Sequence, residues 1–147
     1  MYRFRQDTND HNHHITSTLH NMDTYYNCIP EPFASDLIES SVEAVLFTRN
    51  TAGLSLEKNG IVYNITILGT IRVVEDGYGG DRSFRVDSGE GSLQLLGILG
   101  CSLKSIQQQD DAVYLGFWGL HSIEVIIVHD LYYESFSISR QQLPKEL

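Results

Sequence analysis

The sequence predicts a single α+β domain, mainly antiparallel β, built from two similar (short helix)-β-β-β units with one buried helix at about 90–99. Three observations carry this. Short segments alternate apolar and polar side chains, the period of half-buried antiparallel strands. Turn sequences separate them, Asn59-Gly60 being the strongest hairpin signal because that pair supplies positive φ cheaply. The apolar pattern also recurs 61 positions along the chain: Leu37 and Ile38 match Ile98 and Leu99, Val42 and Val45 match Leu103 and Ile106, and Leu54 and Leu56 match Leu115 and Phe117.

Taken in order, residues 1–21 form a flexible polar N-terminal arm, and 22–147 form one globular domain with repeat units at about 37–67 and 98–127. The arm, "MYRFRQDTNDHNHHITSTLHN", has too few apolar residues to offset its ordering entropy. Met22 is a candidate natural start, which mass spectrometry of native protein would test. His11, His13, His14 and His20 lack the fixed spacing and folded scaffold of a structural zinc site, so no functional metal is expected.

The first unit runs from Val42–Arg49 through the turn "NTAG" to "LSLE" and, past "KNG", to "IVYNITIL". Ile71 and Val73 alternate, as do Phe84 and Val86, so a hairpin is expected around "EDGYGGD". In "DSGEGSLQLLGILG", Asp87 or Ser88 can cap a helix, Leu93, Leu95, Leu96, Ile98 and Leu99 leave it little polar face, and Gly100 stops it. The second unit places Val113, Leu115 and Phe117 on one face of a strand, with Tyr114, Gly116 and Trp118 opposite. Its last strand fits the first unit in two frames, one of which sets Tyr63 and Ile65 against Ile123 and Val125; a one-residue slip would swap the faces.

A chain of 147 residues is long enough for one domain that buries roughly 70% of its unfolded surface. Hydrophobic content of 41% and charged content of 20% are ordinary for a soluble protein. A net charge of −9 and a pI near 4.9, with basic residues scattered singly, argue against nucleic acid as a partner. No apolar run approaches the roughly 18 residues of a membrane helix, and no apolar segment follows the first arginines as a secretory signal requires. The chain is expected in the cytoplasm, with Cys28 and Cys101 as free thiols.

Nucleophile elbows, Walker-type loops, zinc-protease helices and dinucleotide fingerprints are absent. "GYGG" lacks the lysine and helix of a phosphate cradle and is flanked by Asp76 and Asp81. Outside the arm only His121 and His129 could act as general bases, and both fall where turns are expected. No catalytic residue and no cofactor is therefore expected. Trp118, Tyr114, Tyr132 and Tyr133 form either an exposed aromatic patch or a second packing face.

The segment "HDLYYESFSIS" reads as a strand with a carboxylate in line with its apolar residues, since Glu134 alternates with Phe136 and Ile138. A buried carboxylate is costly unless bonded. Tyr133, Glu134 and Phe136 are therefore read as a structural motif, Glu134 accepting from backbone amides, Arg72 or Arg85.

The pieces "LSLEKNGIVYNI", "LQLLGILGCSLKSI", "VYLGFW", "IEVIIV" and "YYESFSI" together resemble a family of small uncharacterised bacterial β-rich proteins closed by a terminal Tyr-Glu-aromatic strand. Such families resemble the immunity proteins of polymorphic toxins. This chain departs in "WGLHS", which replaces an Asp-Gly turn, and in its polar N-terminal extension. The resemblance implies a non-enzymatic protein-interaction module, an immunity protein neutralising a basic toxin domain, and it carries over no catalytic residues. Asp76, Asp81, Asp110, Asp111 and Trp118 are the expected partner contacts. An exposed strand edge would allow a homodimer. The alternative is a small-molecule-binding protein or minor enzyme with a pocket between the repeat units.

Overall fold

The computed structural model describes residues 3–5, 23–75, 80–88 and 95–142 of the chain. Asp76 and the tip of its hairpin lie outside the described residues, as does most of the polar arm. Strand β1 (Arg3–Arg5) pairs with β2 (Asp23–Tyr26), so the part of the arm expected to be flexible contributes an outer strand at Arg3–Arg5. Helix α1 (Glu31–Leu37) starts with Pro32 in its first turn, where a missing N–H costs nothing, and buries Phe33 and Leu37.

Strands β3 (Ser41–Phe47), β4 (Ala52–Lys58) and β5 (Ile61–Ile67) make one antiparallel meander. Asn59 and Gly60, at φ 55° and 81°, form the type I′ turn that matches the twist of β4 and β5. Strands β6 (Thr70–Glu75) and β7 (Gly80–Arg85) form the expected hairpin. A second meander follows in β8 (Ser102–Gln108), β9 (Ala112–Trp118) and β10 (Ser122–Val128), and β11 (Phe136–Gln142) ends the described chain.

Among the described residues the strands form one sheet in the order β1-β2-β11-β5-β4-β3-β8-β9-β10-β6-β7. The join between β3 and β8 is narrow. Ser41 faces Ser102 there, the Val42 N–H donates to the Cys101 carbonyl, and the Leu103 N–H donates to the Ser40 carbonyl, both at 2.9 Å. Glu43 and Lys104 interrupt the flanking ladders as bulges, which bend and twist a sheet. The sheet therefore divides into two halves at this join. After each meander the chain crosses to the other half: β6 pairs with β10, and β11 pairs with β5. Only Leu68 and Gly69 separate β5 from β6. Two residues span at most about 10 Å, the spacing of packed sheets, and side chains of both halves share one buried cluster, so the half-sheets pack on each other.

The core between them takes side chains from both halves: Leu54, Leu56, Tyr63, Ile65 and Ile67 from one, and Leu103, Val113, Leu115, Phe117, Ile123, Val125 and Ile127 from the other, with Ile71, Val73, Phe136 and Ile138 from the crossing strands. Each large side chain buried contributes about 1.5–3 kcal/mol. Cross-strand pairing of Phe117 with Ile123 and Leu115 with Val125 puts Ile123 and Val125, not Ser122 and Glu124, toward the core.

The helix expected at about 90–99 is described only from Leu95. Leu95 and Leu96 are helical, and residues 97–100 turn. Leu95 and Ile98 are buried while Leu96 and Leu99 are exposed, so this segment buries one stripe and not its whole surface. The outer strands are β1 and β7, and β7 carries Asp81, Arg82 and Arg85, charges that discourage pairing with another strand. No helix among the described residues is long and apolar enough to cross a membrane.

Candidate functional site

The connection from β10 to β11, residues 129–135, is where the expected last strand fails to form. Phe136 begins β11, so Tyr132, Tyr133 and Glu134 lie in a loop, and the period-two reading of "HDLYYESFSIS" holds only from Phe136 onward. The reason is local hydrogen bonding. Asp130 Oδ1 accepts the Tyr132 N–H at 2.8 Å, an Asx turn, and the Asp130 N–H donates to Ser135 Oγ at 2.8 Å. From across the sheet, Asn27 Oδ1 accepts the N–H groups of Ser135 (2.6 Å) and Phe136 (3.3 Å). Asn27 holds φ 59°, a left-handed conformation that asparagine tolerates.

With its backbone tied inward, the loop turns Leu131, Tyr132 and Tyr133 outward, 92%, 84% and 75% exposed. The His129 N–H donates to the Asp111 carbonyl at 2.9 Å, which brings the β8–β9 turn alongside. Exposed Asp110, Asp111 and Asp130 thus adjoin three exposed apolar or aromatic side chains. His129 itself is not the solvated turn residue expected. Its ring stacks on Phe136 with centroids 6.1 Å apart, Nδ1 is buried without a partner, and burial pushes its pKa down against an opposing pull from Asp111. A shallow pocket of about 380 Å³ beside the loop is lined by Leu68, Gly69, Arg85, Asp130, Tyr133 and Glu134. Arg72, one expected partner of Glu134, is instead held by Asp81 through two bonds of 2.7 and 2.6 Å.

A second pocket, of about 360 Å³, lies between residues 97–101 and the β9–β10 turn, lined among the described residues by Gly97, Leu99, Gly100, Cys101, Gly119, Leu120, His121 and Ile123. Of these, Leu120 is 100% exposed. His121 Nε2 meets Glu75 Oε1 at 3.1 Å. A thiol, an imidazole and a carboxylate here suggest nucleophilic chemistry, but burial pushes the Cys101 thiol up, and Sγ donates to the Gly97 carbonyl at 3.7 Å. A protonated thiol is a poor nucleophile. Both cysteines are free, and no group of three or more His, Cys, Asp or Glu among the described residues is placed to hold a metal.

The expected partner contacts do not converge. Asp110 and Asp111 stand at the start of β9 and Trp118 at its end, about 20 Å apart at the rise of a strand. Asp81 is occupied by Arg72, whose guanidinium holds that carboxyl below the usual range. Sequence reasoning missed Asn27, Asp130 and Leu131 because their roles depend on a loop paired across the sheet. The one available signal was Asp130 two residues before Tyr132, the spacing of an Asx turn. No family model, curated protein or solved structure matches the chain.

Proposed function

We propose that this chain is a non-enzymatic protein-interaction module that captures a basic protein partner through the 129–135 loop and the adjoining β8–β9 turn. The observation carrying this reading is the outward projection of Leu131, Tyr132 and Tyr133 beside Asp110, Asp111 and Asp130 on a loop whose backbone is hydrogen-bonded in place. Aromatic side chains with few rotamers make strong interface anchors. An acidic surround on a protein of net charge −9 speeds encounter with a basic partner. The resemblance to immunity proteins makes that partner a toxin domain.

The module is read as two similar helix-β-β-β units. Several paired features support this. Val42 N–H to Cys101 carbonyl is matched by Leu103 N–H to Ser40 carbonyl. The bulge at Glu43 is matched by that at Lys104, and Glu39 at φ 73° by Gly100 at φ 79°. Leu37 and Ile98 both accept the N–H three residues on. The strand that follows each unit, β6 or β11, pairs with the other unit, which anchors the loop patch at both ends.

The test is affinity capture from the source cell with the full chain and with Tyr132→Ala/Tyr133→Ala. A stoichiometric basic protein retained by the wild type, released by raised salt and lost in the variant, is expected. A chain that emerges alone carrying a small ligand would favour the alternative of a small-molecule binder.

A further inference from the structure

The two units part company at one place. In the first, the end of α1 is tied to the β4–β5 hairpin by side chains: Lys58 Nζ donates to the Ile38 carbonyl at 2.7 Å, and the Tyr63 hydroxyl donates to Asp36 Oδ2 at 3.2 Å. In the second, cross-strand pairing sets Phe117 where the first has Leu56, and Ile123 where it has Tyr63. Counted from those anchors, Asp36, Lys58 and Tyr63 become Gly97, Gly119 and Ile123. The side chains that fill this crevice in the first unit are missing from the second, and all three replacements line the 360 Å³ pocket.

Ile38 becomes Leu99, and each precedes a residue of positive φ, Glu39 at 73° and Gly100 at 79°. The carbonyl that receives Lys58 thus has a counterpart at Leu99, while Gly119 has no side chain to reach it. A Cβ at Gly119 would stand 2.6 Å from Cys101 Sγ, and Cys101 occupies the place of Ser40. A side chain at Gly119 would therefore require the Cys101 thiol to move aside.

We propose that the pocket takes a lysine side chain from a protein partner, its ammonium on the Leu99 carbonyl as Lys58 lies on that of Ile38. Leu99, Leu120 and Ile123 supply apolar surface for the methylene stem. Glu75, bonded to His121 at 3.1 Å, places a carboxylate beside the pocket. The pocket lies within the range of small-ligand sites. This proposal rests on the reading of two similar units and not on the 129–135 loop.

The experiment is a ¹⁵N-resolved titration of the full chain with N-acetyl-lysine N-methylamide, with the norleucine analogue, which has an alkyl side chain and no ammonium, and with putrescine. The lysine analogue should move the amides of Leu99, Gly100, Gly119, Leu120 and His121 in the millimolar range, about tenfold more tightly than norleucine. Cys101→Ser/Gly119→Lys transplants the first unit's residues and should abolish these shifts while keeping dispersed spectra. Ile123→Tyr, which fills the pocket from another wall, should weaken them if the double variant does not fold. Equal response to norleucine, no response at these amides, or full response in a folded pocket-filling variant would overturn the proposal. Tighter occupancy by putrescine would also overturn it, by assigning the pocket to free amines. Capture that depends on Tyr132 and Tyr133 would survive any of these failures.

Discussion

Asn27 is the side chain on which the 129–135 loop depends most directly, and its substitutions separate two physical contributions. Its Oδ1 accepts two backbone N–H groups belonging to the buried residues Ser135 and Phe136, while its own N–H donates to the Phe136 carbonyl at 2.9 Å. Asn27→Ala removes the acceptor, which costs about 1–3 kcal/mol for buried donors left unmet, and leaves a β-carbon at φ 59° without the local hydrogen bonding that lets asparagine tolerate that backbone, worth about 1–2 kcal/mol more. A total near 3 kcal/mol is expected. Asn27→Gly removes the acceptor but relieves the left-handed backbone, so about 2 kcal/mol is expected. Asn27→Asp keeps an acceptor and tolerates that backbone, so the loss should stay within about 1 kcal/mol. Urea unfolding read by tryptophan fluorescence gives the series, and the alanine variant should melt about 6–12 °C lower. Glycine as damaging as alanine would refute the backbone part. Aspartate as damaging as glycine would refute the hydrogen-bonding part.

Other expectations follow from burial and charge. Phe136→Ala should cost about 3–5 kcal/mol because the ring is wholly buried between the half-sheets, whereas Tyr133→Ala should change stability by less than about 0.5 kcal/mol; paired melting curves decide both. Burial holds His129 below the ordinary histidine value of 6.5, so beneath pH 6.5 the unfolded chain takes up a proton that the folded chain resists. Stability should fall as pH drops through 6.5 and level off once pH is under the folded value, and His129→Gln should show a shallower fall over that window. Gly60→Val, at φ 81° in the type I′ turn, should destabilise by about 1–2 kcal/mol, while Gly69→Ala, whose Cβ meets open space, should be near neutral.

Much of the candidate site was only half legible in advance. The acidic turn at Asp110 and Asp111 was readable as exposed from its polarity, and Trp118 as lying opposite Leu115 and Phe117 from the alternation of β9, but whether that opposite face is open or packed was not readable. That they stand at opposite ends of one strand follows from its length, yet the neighbours each acquires do not. Glu134 was misread because the alternation around Phe136 and Ile138 extends formally into "YYE", while Asp130, Ser135 and Asn27 offer those residues better hydrogen bonds outside a ladder.

By itself the sequence determined most strands of the two meanders, the β6–β7 hairpin and the tight turns, since side-chain alternation and turn chemistry act over a few neighbouring residues. Only the tertiary structure decided that β6 leaves its own meander for β10 and that β11 returns to β5. Any strand with one apolar face could pair at either edge; closure of a core shared by both half-sheets selects the crossed arrangement, because that places Ile71, Val73, Phe136 and Ile138 out of water together. The same packing turned an unremarkable Gly119 into the floor of a pocket, since its meaning appears only beside Cys101 and in the absence of a counterpart to Lys58.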